Sequence, residues 1–330
     1  MNEAQYDVVG LGNAIVDVLS HADEDFIVKH GLPKGGMTLV DRDASHALYD
    51  DMGPATEMSG GSAANTMAGL ASLGGQPAFF GRVCDDQLGR VFAHDIRAIG
   101  VSYETPPAAN GAPTGRCLIL VTSDAQRTMQ TYLGSSAEFG PEDVNDAVIR
   151  TAAVTYLEGY LFDPAPAKAA FRKAAEVAHG ADRRVALTLS DAFCVDRHRD
   201  EFRELVDGHI DILFANEDEI TALYETSDFD TALKAVRGKC EIAVLTRSEK
   251  GSVIVAGGDV HEVGIEPVAH VVDTTGAGDL YAAGFLYGLT HGHSLPECGR
   301  IAAICAAEVI SHMGARPDVS LKELVAGKMG

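Results

Sequence analysis

Val271-Val272-Asp273-Thr274-Thr275-Gly276-Ala277-Gly278-Asp279 is the part of the chain richest in residue types that do chemistry. Its two glycines open backbone angles closed to other residues and let a ligand come close. The string runs straight into residues 280–289, whose apolar content suits a buried helix. A helix start offers unpaired N–H groups and about half a positive charge. That makes an anion site, suited to the charge spread over a phosphoryl group in transfer. Asp279, in the first helical turn, is placed to take the proton of a substrate hydroxyl. A plain glycine turn with an aspartate complementing the helix dipole needs far fewer of these residues.

The usual phosphate loops are missing. No Gly-x₄-Gly-Lys-[Ser/Thr] string occurs, and Gly10-Leu11-Gly12 lacks the third glycine of the dinucleotide fingerprint. Asn216-Glu217-Asp218-Glu219 follows a strand and opens a helix, with Asn216 as N-cap and Glu219 completing a capping box. Asp17, at the end of Gly12-Asn13-Ala14-Ile15-Val16-Asp17, is a carboxylate suited to accepting both hydroxyls of a vicinal diol. Analogues without the hydroxyls would leave it unpaired, so Asp17 with Asn65 suits ribose or another polyol. By itself Asp17 serves equally well as a turn cap. A purine would need an apolar slot, for which Met37, Leu39, Leu133, Tyr160, Phe162 and Phe193 are candidates, each also suited to packing. No arginine stands beside Asp17 or Asn65 in the sequence, which speaks against a sugar acid. Arg127, in the hairpin, could reach a substrate or phosphate but reads better as a solvated arginine, and His291-Gly292-His293 reads as a polar loop unless a third metal ligand folds nearby.

These residues need a scaffold. The chain has 330 residues, 46% hydrophobic and 22% charged, enough for a sizeable core. Its formal charge of −22 argues against nucleic acid or an anionic membrane as partner, though not against a small phosphate ligand. Met1-Asn2-Glu3-Ala4-Gln5 lacks a signal-peptide pattern, and the six cysteines are scattered. The expectation is a cytoplasmic protein with reduced thiols. Residues 6–11, 78–83, 154–157, 185–189, 210–214 and 242–245 read as buried strands, alternating with helical stretches such as 167–179 and 231–238. That alternation predicts an α/β fold with a mostly parallel sheet, in one domain over residues 1–330. Residues 113–122 and 126–133 break it as a hairpin around Ser123-Asp124-Ala125, and 33–41 holds another short strand. A small β-sheet lid over the site, from segments 13–50 and 110–135, would use them.

Asp273-Thr-Thr-Gly-Ala-Gly-Asp279 resembles the C-terminal signature of the ribokinase-like (PfkB) carbohydrate and nucleoside kinases. Gly60-Gly61-Ser62-Ala63-Ala64-Asn65, with its helix ending at Gly74-Gly75, is similar to their N-terminal signature. Asn216 to Glu219 is similar to their Asn-x-x-Glu element, and Thr246-Arg247-Ser248-Glu249-Lys250-Gly251 to their nucleotide-binding turn. The four occur in the family's order across nearly the whole chain. The resemblance implies a three-layer α/β/α fold and ATP-dependent phosphorylation of a primary alcohol. Asp279 would be the base, with Gly276, Ala277 and Gly278 as anion hole. ATP would meet Asn216, Thr246, Ser248, Gly251, Gly276 and Gly278, while Asn216 and Glu219 organise Mg²⁺ through water. Asp273 matches a position the family uses for a monovalent cation such as K⁺.

On the substrate side the resemblance is to adenosine kinases, through the Gly-Asn-x-x-x-Asp turn. It implies contacts from Asn13, Asp17, Gly60, Gly61, Ser62 and Asn65, with Phe162 and Phe193 beside the base. Cys84 stands where many relatives carry glycine. A sugar kinase acting on ribose, fructose or 2-keto-3-deoxygluconate is the near alternative. A nucleoside sensor without turnover is a different class. Monomer and homodimer both stay open.

Overall fold

The computed structural model describes residues 4–124 and 126–330. Ala125 of the expected hairpin turn and Met1-Asn2-Glu3 lie outside the described residues. Two sheets organise the rest. The larger has the order β13-β12-β11-β10-β9-β8-β1-β5. It contains β1 (Tyr6–Leu11), β5 (Pro77–Phe80), β8 (Ala152–Glu158), β9 (Arg184–Thr188), β10 (Ile212–Asn216) and β11 (Ile242–Thr246), then β12 (Ser252–Ala256) and β13 (Asp259–Val263). Strands β5 to β11 pair in parallel through β1, β8, β9 and β10, and the hairpin β12–β13 extends that edge antiparallel. Their near-continuous Val, Ile, Leu and Phe content fits burial on both faces. One core cluster packs Leu157, Phe171 and Phe202, and another packs Met67, Tyr156 and Phe285.

The smaller sheet has the order β3-β7-β6-β2-β4, with β2 (Ile15–His21), β3 (Met37–Leu39), β4 (Ala55–Gly60), β6 (Thr114–Val121) and β7 (Arg127–Gly134). It extends to residues 55–60, past the segments the sequence suggested. Strand β2 follows β1 after three residues, so the site turn joins the two sheets directly.

Chain order reverses at β1, with β5 on one side and β8 on the other. Open α/β sheets place ligands at such a switch point, beyond the carboxyl ends of the strands. Two helices converge there. The helix Ser62–Leu73 and the helix Ala277–Thr290 touch at Gly69, where a Cβ would stand 2.6 Å from Leu280 and 2.8 Å from Ala283. That close approach brings the two helix starts together. Among the described residues no helix is long and apolar enough to cross a membrane.

Candidate functional site

Asp279 lies in the first turn of Ala277–Thr290 and accepts from Ser62 Oγ at 2.6 Å and Asn65 Nδ2 at 3.2 Å. Both donors come from the start of the other helix, 217 and 214 residues away in sequence. Loss of solvent pushes the Asp279 carboxyl up to about 6, against the pull of its two hydrogen bonds. Asp17, on β2, is also pushed up to about 6: burial dominates, Arg316 and Arg127 pull it down, and Asp279 adds repulsion. Gly60 exists for Asp17, since a Cβ there would lie within 2.4–2.5 Å of its carboxylate. Gly61 has φ +102°, and its Cβ would strike the Asn13 carbonyl at 2.2 Å. Asp17, Ser62, Asn65 and Asp279 thus form one polar cluster.

The glycines of the second signature differ in kind. Gly276, at φ +79°, caps the helix, and a Cβ would meet Ala315 at 2.8 Å. Gly278 has neither constraint, as a Cβ there would meet nothing within 4 Å. Packing does not require this glycine, and the space beside it at the helix start is open.

On the adjoining strands, Asn216 ends β10 in register with Thr246 of β11. Asn216 caps the next helix by accepting from the Glu219 amide at 2.8 Å, while Glu219 takes both the Asn216 backbone N–H and Nδ2. Burial first, then the carboxylates of Asp191 and Asp218, push Glu219 up to about 7. Tyr160 connects the two halves: Asp191, Glu219 and Asp279 all act on its hydroxyl, which burial already holds far above the usual phenol range. Ser248 at φ +50° and Gly251 at φ +81° shape the turn after β11. A Cβ on Gly251 would reach Val263 O at 2.1 Å. Among the described residues no group of three His, Cys, Asp or Glu side chains is disposed to hold a metal directly. The donor set fits a divalent ion only when water and phosphate oxygens complete its shell.

Several expectations change or narrow. Phe162 is buried against Phe171, Phe202 and His198, stacking on Phe202 with ring centroids 4.8 Å apart, so its apolar surface is spent in the core. Asn13 is buried and partly engaged: Nδ2 donates one hydrogen to Glu158 at 2.7 Å, and Oδ1 accepts from Ser136 Oγ at 3.0 Å. These bonds fix the turn and leave one Nδ2 hydrogen for a substrate. Asp273 accepts from Thr275 N and Oγ1 and from Gly314 N, and forms an ion pair with Arg127 Nη1 at 2.9 Å. A guanidinium therefore stands where a monovalent cation was expected. Arg127, in turn, is buried, because the smaller sheet folds it onto that loop. The expectation of no arginine near Asn65 also fails, since Arg316 donates to Asn65 Oδ1 at 3.3 Å from 251 residues away. Phe193 is 77% exposed at the start of the helix Ala192–Gly208, with its ring free.

Sequence reasoning missed Glu158. It ends β8, accepts from Asn13 N and Nδ2 and from Ala63 N, and so ties the diol turn to the helix start. Burial raises it to about 7, opposed by those bonds. The available signal was an acidic residue closing an otherwise apolar strand. Arg316 left no such signal.

A carboxylate held at a helix start, beside an open glycine and near a second carboxylate, is chemically suited to a transferase that moves an anionic group onto a hydroxyl. The pfkB family carbohydrate kinase model matches residues 49–322, and the chain belongs to that family. The solved adenosine kinase of Sinorhizobium meliloti is 53% identical, with a TM-score of 0.91 over 99% of this chain and 100% of that one. A probable sugar kinase of Rhizobium etli CFN 42 is 49% identical, with a TM-score of 0.92 over 99% of each. Among curated relatives, 5-dehydro-2-deoxygluconokinase of Geobacillus thermodenitrificans is 28% identical over 84% of this chain and 86% of its own length. The protein is an ATP-dependent kinase of nucleosides or sugars, a chemistry that needs a divalent metal.

Proposed function

We propose that this chain is an adenosine kinase, converting ATP and adenosine to ADP and AMP. The observation that carries this reading is the Asp17–Asn65–Asp279 cluster, in a chain half identical to an adenosine kinase over its whole length. Asp17 accepts from the ribose diol. Asp279, 2.6 Å from Ser62, receives the 5′-hydroxyl proton as that oxygen attacks the terminal phosphorus of ATP. The N–H groups at Gly276, Ala277 and Gly278 face the oxygens of the transferring group. Asn216, Glu219, Thr246, Ser248 and Gly251 line the nucleotide side. Asn216 and Glu219 would hold a divalent ion such as Mg²⁺ through water, and when bound it would supply neutralisation of phosphate charge. Phe193 offers its free face to the base, and the smaller sheet acts as a lid over the site within one domain, residues 1–330.

The likeness to a sugar kinase, and Arg316 beside Asn65, favour a sugar or sugar acid as the second reading. Charge decides against an acid. Arg316 is already paired with Asp95 at 3.1 Å and Arg127 with Asp273 at 2.9 Å, leaving Asp17 and Asp279 as the cluster's own charges. Such a pocket suits a neutral polyol. ADP release with Mg-ATP across adenosine, guanosine, inosine, ribose, fructose and 2-keto-3-deoxygluconate tests this. A kcat/KM for adenosine about a hundredfold above any free sugar is expected. Preference for a sugar would refute the nucleoside reading, and ligand binding without turnover on any alcohol would point to a sensor.

The glycine contrast gives a second test. Gly278→Ala is expected to keep or slightly raise Tm, since alanine is the better helix former by about 0.5–1 kcal/mol and finds open space. Its methyl would crowd the phosphate position and cut kcat/KM by about 10². Gly276→Ala should instead lower Tm, because of its positive φ and the contact with Ala315. Unchanged activity in Gly278→Ala would remove the anion hole from the mechanism.

A further inference from the structure

Arg316 lies between the helices Leu295–Val309 and Leu321–Met329, where it reaches two elements of the site at once. Its Nε donates to Asn65 Oδ1 at 3.3 Å and its Nη1 to Asp95 Oδ2 at 3.1 Å. Asp95, on the helix Gln87–Ala98, is held by the backbone N–H and hydroxyl of Ser59 at 2.8 and 2.5 Å. Ser59 immediately precedes Gly60, the residue that makes room for Asp17. Asn65 passes the alignment on, donating from Nδ2 to Asp279 at 3.2 Å. The last guanidinium nitrogen, Nη2, is buried and has no hydrogen-bond partner. Besides Asp95, the charge acting on this guanidinium is Asp17.

We propose that Arg316 sets the hydroxyl-binding edge of the pocket: it locks the Asn65 amide with Nδ2 toward Asp279, and its Nη2 donates to the substrate diol whose protons Asp17 accepts. The proposal rests on the nucleoside reading and adds to it the residue that reads the ribose. A hydroxyl is donor and acceptor together, so a carboxylate on one side and a guanidinium N–H on the other satisfy it completely. A deoxy substrate leaves a buried charged donor and a charged acceptor without partners, which is how such sites reject analogues. Arg316 is cationic, yet its pairing with Asp95 spends the charge, so it reads a neutral group.

The test compares wild type, Arg316→Gln, Arg316→Lys and Asp95→Asn, with each variant's Tm measured first. For each, kcat and KM are measured on adenosine, 2′-deoxyadenosine and 3′-deoxyadenosine. Arg316→Gln is expected to lower kcat/KM for adenosine roughly 30- to 100-fold, mostly through KM. For at least one deoxy analogue the loss should be under about threefold, so that discrimination collapses. Arg316→Lys, which keeps the charge but loses the planar fork, should recover little of it. Asp95→Asn should show a smaller loss in the same pattern. Equal losses on all three nucleosides, as a purely structural arginine would give, overturn the proposal. So does full activity in Arg316→Gln. If that variant does not fold, Arg316→Lys and Asp95→Asn decide by the same criterion. A wild type that ignores adenosine refutes the nucleoside reading alone, and the comparison then uses the preferred sugar and its deoxy analogue.

Discussion

Asp279→Asn is expected to lower kcat by about 10³ while adenosine and ATP still bind within a few fold of wild type. The side chain keeps its shape and can still accept from Ser62 or Asn65, so the pocket stays assembled. What it loses is the site for the proton that the attacking hydroxyl gives up. Wild-type kcat/KM should fall with acid below about pH 6, where Asp279 and Asp17 both take up protons. The two interact, so that limb belongs to the pair and should be steeper than one proton. Stability moves the opposite way. The folded-state value of about 6 lies above the ordinary 3.8. Stability from this group is therefore complete below pH 3.8 and is lost as pH rises through 6. Asparagine escapes that loss, so Asp279→Asn should be the more stable form at pH 8, by on the order of 1–2 kcal/mol. The advantage should vanish near pH 4. Thermal melts and stopped-time ADP assays on one preparation measure both effects; turnover within tenfold of wild type would sink the base assignment.

Asp17→Asn is expected to act on recognition. Each hydrogen bond to a charged group is worth about 1.5–3 kcal/mol, so removing a diol acceptor should cost kcat/KM about 10²–10³. The loss should appear mainly in KM for adenosine and be small for 2′,3′-dideoxyadenosine, which has no diol to present. The variant should also make the acid limb shallower, because one of the two coupled carboxyls no longer titrates. Gly60 supports this role independently, since it is small only to admit the Asp17 carboxylate. An Asp17→Asn enzyme with wild-type KM for adenosine would return Asp17 to a structural role.

Local sequence determined a good deal. The strands of the larger sheet are apolar runs bounded by turn residues, and their alternation with helices left few topologies. Gly276, Gly278 and Asp279 were legible because a phosphate-holding helix start needs glycines and an acid within one turn. Asn216 and Glu219 were legible because a capping box is a local hydrogen-bond pattern. The hairpin β6–β7 followed from its alternation and turn residues.

Tertiary structure decided the partners of charges. Arg127 reads from sequence as a hairpin arginine, and nothing near Arg316 in the chain marks it for a site. Folding brings Arg127 from the smaller sheet onto Asp273, and Arg316 across 251 residues onto Asn65. Phe162 and Phe193 carry the same ring, yet one is stacked in the core and the other stands free at a helix start. Asn13 belongs to a binding-type turn, and Glu158 and Ser136, from two other elements, fix the orientation of its amide. Backbone propensity, capping and glycine demand act within a few residues, so sequence alone determined which segments form the candidate site. Ion pairing, desolvation and ring burial depend on what arrives from elsewhere in the chain, so only the assembled fold determined which side chains remain for a substrate.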